Sequence, residues 1–194
     1  MSTDNIKEEF SDDDVIRSVK AGNIKNFEVI VNRYKVKIVN FVFRMINDYD
    51  EAQSISQEVF LRIFVKIKKY KENGTFQSFI FTIAKNTSLN YLKKRKRFSF
   101  FSELSEKKGG DHIPSEDELP SEKLRKTEKE KLVLNGLNNL VIDQRVALIL
   151  KVYLGFSYKK IAEVTGWSQS KIETLISRGK SNLKKYVLLQ EKGE

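Results

Sequence analysis

Phe156-Ser157-Tyr158-Lys159-Lys160-Ile161-Ala162-Glu163-Val164-Thr165-Gly166-Trp167-Ser168-Gln169-Ser170-Lys171-Ile172-Glu173-Thr174-Leu175-Ile176-Ser177 is the stretch that decides the fold. A helix-turn-helix needs two helices crossing steeply over a very short turn. Ser157 is placed to cap the first helix and Ser168 the second. Ala162 supplies the small residue where the helices touch. Gly166, four positions on, supplies the positive φ that the turn demands. Ile161, Trp167, Ile172 and Leu175 stand where apolar side chains must lock the pair. Thr165 fits the pattern least well, and an ordinary helical hairpin is the plainer alternative. In a helix-turn-helix the second helix enters the major groove, N-terminal residues foremost. These are Gln169, Ser170, Lys171, Glu173 and Thr174. Gln suits adenine, Lys guanine, and Glu can accept from cytosine N4, although a solvated surface would also account for Glu173. Ser177, Arg178, Lys180, Lys184 and Lys185 follow at positions suited to phosphates.

Toward the N-terminus, Leu132–Leu140 reads as a helix. Asp143 is an expected N-cap for another, running through Val146, Ile149, Leu150 and Tyr153 and ended by Gly155. Upstream lies a stretch without apolar periodicity, Ser102 to Glu122, holding both prolines (Pro114 and Pro120) and Gly109-Gly110. That is linker composition. Further upstream three long stripes have helical spacing. They are Phe27, Ile30, Val31, Tyr34, Ile38, Phe41, Val42, Met45; then Ile55, Val59, Phe60, Ile63, Phe64, Ile67; then Phe79, Ile80, Ile83, Ala84, Leu89, Leu92. Asp12-Asp13-Asp14 is expected to precede a shorter helix through Val15, Ile16 and Val19, ended near Gly22, its charge suiting the positive end of the helix dipole. Strand-like alternation is nowhere sustained. The fold class expected is all-α: a helical bundle and a helix-turn-helix domain, two small domains joined by an acidic linker.

Charge follows the same division. Of 194 residues, 36 are Lys or Arg and 26 Asp or Glu, a net of +10. Residues 1–100 carry +7, residues 101–130 carry −3 and residues 131–194 carry +6. Two cationic blocks flanking an acidic connector favour a polyanionic partner, chiefly nucleic acid or an anionic membrane surface. With no cysteine and one histidine, disulfide scaffolds, thiolate metal sites, cysteine nucleophiles and multi-histidine sites are excluded. No cofactor or metal is expected. No segment has the roughly 20 apolar residues of a membrane span, and the polar, acidic start does not read as a signal peptide. The expected compartment is the cytoplasm, without membrane insertion.

A second signal lies at residues 70–97. Lys93-Lys94-Arg95-Lys96-Arg97 is a run of five cations. Asn86, Thr87 and Asn90 precede it, and before them comes the loop Tyr70-Lys71-Glu72-Asn73-Gly74-Thr75-Phe76. Cations, aromatic rings and amides together suit an unpaired strand, charge following the backbone and rings or amides receiving a base. Solvated lysines and core phenylalanines would account for the same composition.

At this point the chain resembles the extracytoplasmic-function branch of the sigma-70 family of bacterial RNA polymerase specificity subunits. The resemblance spans about residues 11–100 and 130–188. Its carriers are Asp50-Glu51-Ala52-Gln53-Ser54-Ile55-Ser56-Gln57-Glu58-Val59-Phe60, similar to region 2.2; Phe76-Gln77-Ser78-Phe79-Ile80-Phe81-Thr82-Ile83-Ala84-Lys85-Asn86, similar to regions 2.3–2.4; and the helix-turn-helix with its tail to Leu183, similar to region 4. It implies a region 2 domain over 1–99, an acidic linker over 100–127 and a region 4 domain over 128–194. It implies that RNA polymerase core enzyme is bound through Ser54, Gln57, Glu58, Leu61 and Arg62. It implies that the −10 element is melted, and its freed strand held, by Tyr70, Lys71, Asn73, Phe76, Asn86, Asn90, Lys93, Lys94, Arg95 and Arg97. Gln169, Ser170, Lys171, Glu173, Thr174, Ser177, Arg178 and Lys180 would read the −35 element as duplex promoter DNA. An anti-sigma factor is the further partner it implies. Ser54 stands where the family usually has aspartate, Phe79 where it has tryptophan, and Lys160 where it has glutamate. The alternative reading is a free-standing helix-turn-helix repressor or activator, which would leave 50–60 and 70–97 without a role. Enzymatic activity is not expected: the acidic clusters Asp12-Asp13-Asp14 and Glu116-Asp117-Glu118 read as helix entry and linker, and no nucleophile–base pair accompanies them.

Overall fold

The computed structural model describes residues 10–70, 75–105 and 127–191. Among them lie eight α-helices: α1 (Asp12–Lys20), α2 (Phe27–Ile46), α3 (Tyr49–Ile67), α4 (Phe76–Ser105), α5 (Glu128–Asn138), α6 (Ile142–Leu148), α7 (Tyr158–Thr165) and α8 (Gln169–Glu191). No strand occurs among the described residues. The expected three long helices and one short one form the first domain, packed as α2 on α3, with α4 across both.

Local chemistry explains the boundaries. Ser11 caps α1 and forms a reciprocal capping box with Asp14, so the three aspartates lie inside the first turn rather than ahead of it. Asp12 accepts hydrogen bonds from Arg33 and the Tyr34 hydroxyl, fastening α1 to α2. Asn47, at φ 55, ends α2 in the left-handed conformation, and Asp48 caps α3 by accepting from the Glu51 N–H at 3.1 Å. Helix α4 passes the expected boundary at residue 99 and continues to Ser105, because neither glycine nor proline intervenes before Gly109. In the second domain Thr127 opens α5 through a capping box with Glu130, four residues before the expected start. Asp143 is not the cap of α6. Val141 holds that position and Asp143 lies in the first turn, where its carboxylate is 3.2 Å from Lys171 Nζ. Helix α6 runs on into a π-helical turn, Ile149–Tyr153, before Gly155 reverses the chain.

The helix-turn-helix forms as its sequence demands. Ser157 accepts from the Lys160 N–H, Ser168 from the Lys171 N–H, and Gly166 sits at φ 74 between α7 and α8. Ile161 and Ile172 are fully buried. Gly136 serves another end: a Cβ there would lie 2.5 Å from Leu183 Cδ1, so its absence lets α5 approach α8. The first domain is centred on Ile30, Ile38, Phe41, Met45, Ile63 and Ile80, the second on Leu137, Ile149, Leu150, Ile161 and Ile172. Each such side chain contributes about 1.5–3 kcal/mol by leaving water.

The two domains also pack on each other, α7 against α4 and α5 with the π-helical turn against α2. Phe81 of α4 meets Phe156 edge-on, ring centroids 5.3 Å apart.

Candidate nucleic-acid interface

On α4 the amides and cations fall into register. Asn86, Asn90, Lys93 and Arg97 are spaced by four, three and four residues, which places them on one face, and Asn86, Asn90, Lys93, Lys94, Arg95, Lys96 and Arg97 are all at least partly exposed. Thr87, in contrast, is buried and donates to the Ile83 carbonyl. An aromatic knot joins Tyr70 to the start of α4. Tyr70 is 8% exposed and Phe76 2%. Their rings are 5.4 Å apart edge-to-face, and Phe76 stacks on Phe79 at 5.8 Å. Lys20 donates to the Tyr70 carbonyl at 2.7 Å and lies over the Tyr70 ring. These two aromatics, on either side of residues 71–74, therefore belong to the core. Lys71 and Asn73, the other expected members of the loop, lie outside the described residues.

On α8, Gln169, Ser170, Lys171, Glu173, Thr174, Ser177, Arg178 and Lys180 lie along the helix, and all eight are exposed. Four side chains among them already have partners. Gln169 donates to Glu173 at 3.0 Å, Thr174 donates to the Ser170 carbonyl, and Lys171 is shared between Asp143 and the Trp167 ring, 4.6 Å away. Asp143 and Trp167 are members of this surface that a reading of α8 alone does not supply. The signal for Trp167 was in its position within the turn; Asp143 comes from another helix.

On α3 the expected polar residues cluster with an apolar strip. Arg62 grips Glu58 through Nε at 2.9 Å and one terminal nitrogen at 2.6 Å. Gln57 and Ser54 are exposed, and Ser54 donates to the Asp50 carbonyl. Leu61 is 67% exposed and Val65, four residues on, 74%. Phe64, expected in the core stripe, is partly exposed and rests edge-on against Phe27 at 5.2 Å. Val65 and Phe64 extend the surface one turn beyond the expected residues; their spacing from Leu61 was the available signal.

No helix among the described residues is long and apolar enough to cross a membrane. A helix-turn-helix domain beside a helical bundle, in a chain of net charge +10, defines the class as a DNA-binding protein. Two family models match in order: sigma-70 region 2 over residues 30–98 and sigma-70 region 4 over residues 130–183. The chain is 28% identical over 178 residues to the RNA polymerase sigma-H factor of Pseudomonas aeruginosa, covering 90% of this chain and 92% of that one. It is 28% identical over 179 residues to the ECF RNA polymerase sigma factor SigW of Bacillus subtilis, covering 88% and 93%. Among solved structures it resembles the sigma factor RpoE in complex with the anti-sigma factor NepR from Bartonella quintana, with TM-score 0.69, 23% identity, and 84% and 97% coverage. It also resembles CnrH in complex with the cytosolic domain of CnrY, with TM-score 0.66, 18% identity, and 91% and 96% coverage. The chain belongs to the sigma-70 family, in its extracytoplasmic-function branch. Its function is that of an RNA polymerase-binding, promoter-specific transcription initiation factor.

Proposed function

We propose that the two domains divide promoter recognition, the first melting and holding the −10 element and the second reading the −35 element as duplex. The observation that carries this is the pair of cationic faces on separate domains. One presents Asn86, Asn90, Lys93 and Arg97 along α4, and the other presents Gln169 through Lys180 on the second helix of a helix-turn-helix. Amides beside cations suit a single strand; a protruding helix suits the major groove. Extracting a base costs a few kcal/mol of stacking, which the loop between Tyr70 and Phe76 must return. With Tyr70 and Phe76 tied into the core, that contact falls to Lys71 and Asn73 and to the α4 amides. Core polymerase is met through Ser54, Gln57, Glu58, Leu61 and Arg62, with Val65 extending the apolar part. The chain itself performs no bond chemistry; nucleotide addition belongs to the polymerase, and the cytoplasm is where the two meet. An anti-sigma partner is part of the same reading. It is supported by the likeness to a sigma factor solved in complex with an anti-sigma factor.

The test is promoter-dependent run-off transcription by bacterial core polymerase with the purified chain added. Transcripts that start at one site and require both elements are expected. Loss of both transcript and core binding, with a stable DNA-binding homodimer in solution, would establish the free-standing regulator instead. A finer outcome concerns Lys171. Exposed ion pairs are worth about 0.2–1 kcal/mol, so Asp143→Asn, which frees Lys171 and removes a like charge from the phosphates, tightens promoter complexes by roughly two- to fivefold. Fluorescence anisotropy of labelled promoter with holoenzyme reads this directly, and weaker binding would mean that Asp143 positions Lys171 instead of restraining it.

A further inference from the structure

Between α2 and α5 lies an apolar cavity of about 300 Å³ that the promoter-binding reading does not use. Phe43 and Tyr49 wall it from the first domain; Val133, Leu134 and Tyr153 wall it from the second. The Phe43 and Tyr49 rings meet edge-on, centroids 5.9 Å apart. Tyr49 is 42% exposed and Tyr153 41%, while Phe43 and Leu134 are buried behind them. A concave surface of rings and branched side chains with a few polar groups is what small-molecule sites are made of.

The polar groups of this cavity are cations short of an anion. Arg44 is half-buried in its wall. Its guanidinium stacks 4.1 Å from the Tyr153 ring centroid, and one terminal nitrogen donates to the Asn40 carbonyl at 3.1 Å. Its Nε is buried without an acceptor, and no carboxylate pairs with it among the described residues. Lys129, in the first turn of α5, also lines the cavity and has no ion-pair partner among the described residues. Glu130 lies beside them, but its carboxylate accepts from the Thr127 N–H at 3.1 Å and closes the capping box of α5. A half-buried cation without a counter-ion has lost hydration that nothing returns; an anion held against Arg44 would return it.

We propose that this cavity binds a small hydrophobic acid: a flat aromatic ring, or a fused pair of rings, carrying a single carboxylate. The ring system enters among Phe43, Tyr49 and Tyr153, where edge-to-face and offset contacts suit a π system. The carboxylate meets Arg44 and Lys129, and charge-assisted bonds of this kind gain strength in a site walled mostly by carbon. The volume lies at the lower end of the range for ligand pockets, about 300–1,000 Å³, so a nucleotide is too large as well as too polar. Because the walls come from both domains, the occupant makes its full set of contacts only while they are packed, and the concentration of the acid enters the stability of that packing.

Calorimetric titration of the full chain with 2-naphthoate tests the site without polymerase or promoter. Saturable binding is expected with a dissociation constant of about 10 µM to 1 mM, given what each atom of a small ligand contributes. 2-Naphthamide has the same shape without the charge and should bind about tenfold more weakly. Raising salt should weaken the acid and leave the amide unchanged. Lys129→Gln should cost the acid about three- to tenfold and the amide nothing. Asn40→Trp sets a large ring at the exposed rim of the cavity and should abolish both, while the Arg44 bond, made to the Asn40 backbone, is kept. Tyr49→Ala removes a wall and should weaken both, and circular dichroism confirms the helix content of each variant. Leu188→Ser lies in a different apolar groove, beside α8, and should change nothing. Absence of saturable binding up to about 5 mM, equal affinity for acid and amide, or a loss on Leu188→Ser with none on Asn40→Trp or Tyr49→Ala overturns the proposal.

Discussion

Replacing Arg145 by leucine is expected to lower the free energy of unfolding by about 2–4 kcal/mol, among the largest effects available from one side chain in this protein. Arg145 is a buried cation. Its guanidinium donates to the Met45 carbonyl at 2.6 Å, to Asn138 Oδ1 at 2.8 Å and to the Asn138 carbonyl. Met45 lies in the last turn of α2, and Asn138 is the last residue of α5. Two helix C-termini, each with unpaired carbonyls and the negative end of a dipole, thus converge on one positive charge. Burial holds the Arg145 pKa below its usual value, yet an arginine stays charged at neutral pH. Leucine avoids the cost of burying a charge, but the acceptors remain with no donor, so the loss outweighs the gain. Hydrogen bonds to charged groups contribute about 1.5–3 kcal/mol each; the lower net figure allows for the desolvation no longer incurred. Arg145→Lys should fall between, because a single ammonium cannot fork to both helix ends. Urea unfolding followed by circular dichroism measures both variants. A leucine variant within about 0.5 kcal/mol of the parent chain would mean that desolvation cancels the bonds.

Arg145 also marks the limit of what the sequence discloses. Helix periodicity announces which apolar residues share a face, and it located every long helix here, because Ile30, Tyr34, Ile38 and Phe41 can only be gathered at that spacing. The helix-turn-helix was legible for the same local reason: Ala162, Gly166 and the two serine caps act within a few residues of one another. A charged residue in an amphipathic helix gives no such signal. Arg145, Lys85 and Lys160 look like solvated cations, and their acceptors Met45, Val164 and Gln77 are 100, 79 and 83 residues away. Long-range pairing of that kind leaves no periodic trace. The same limit explains Asp143: a good capping residue by type, it was drawn into the first turn of α6, where Lys171 from another helix offers it a charge.

The candidate surfaces were legible to the extent that exposure and register were. Asn86, Asn90, Lys93 and Arg97 form a face from spacing alone. Phe76 was ambiguous between platform and core and Tyr70 was read as part of the strand-holding loop; both rings, buried against other rings, settle as core. Nothing in a single sequence separates an aromatic that receives a base from one that fastens a loop.

Register on α4 yields the sharper prediction for function. Converting Lys93, Lys94, Arg95 and Arg97 to glutamine should weaken promoter complexes by about 10²–10³-fold at moderate salt. It should also flatten the plot of log affinity against log salt by about 0.7–0.9 for each phosphate no longer neutralised. The five cations of the run are not equivalent. Lys93 and Arg97 share the face of Asn86 and Asn90, whereas successive residues of a helix point about 100° apart. Lys94 and Lys96 therefore project away from that face, although neither is buried. Lys93→Gln with Arg97→Gln should accordingly reproduce most of the loss, and Lys94→Gln with Lys96→Gln should give little of it. Both pairs remove the same net charge, so an effect that merely followed the +10 of the whole chain would make them equal. Holoenzyme binding to a template melted at the −10 element, titrated across salt, separates the two cases. Equal slopes would assign the cationic run to a diffuse field around the domain. Unequal slopes would assign it to a strand lying along one side of α4, with the amides of Asn86 and Asn90 beside the bases and the two cations on the backbone that follows.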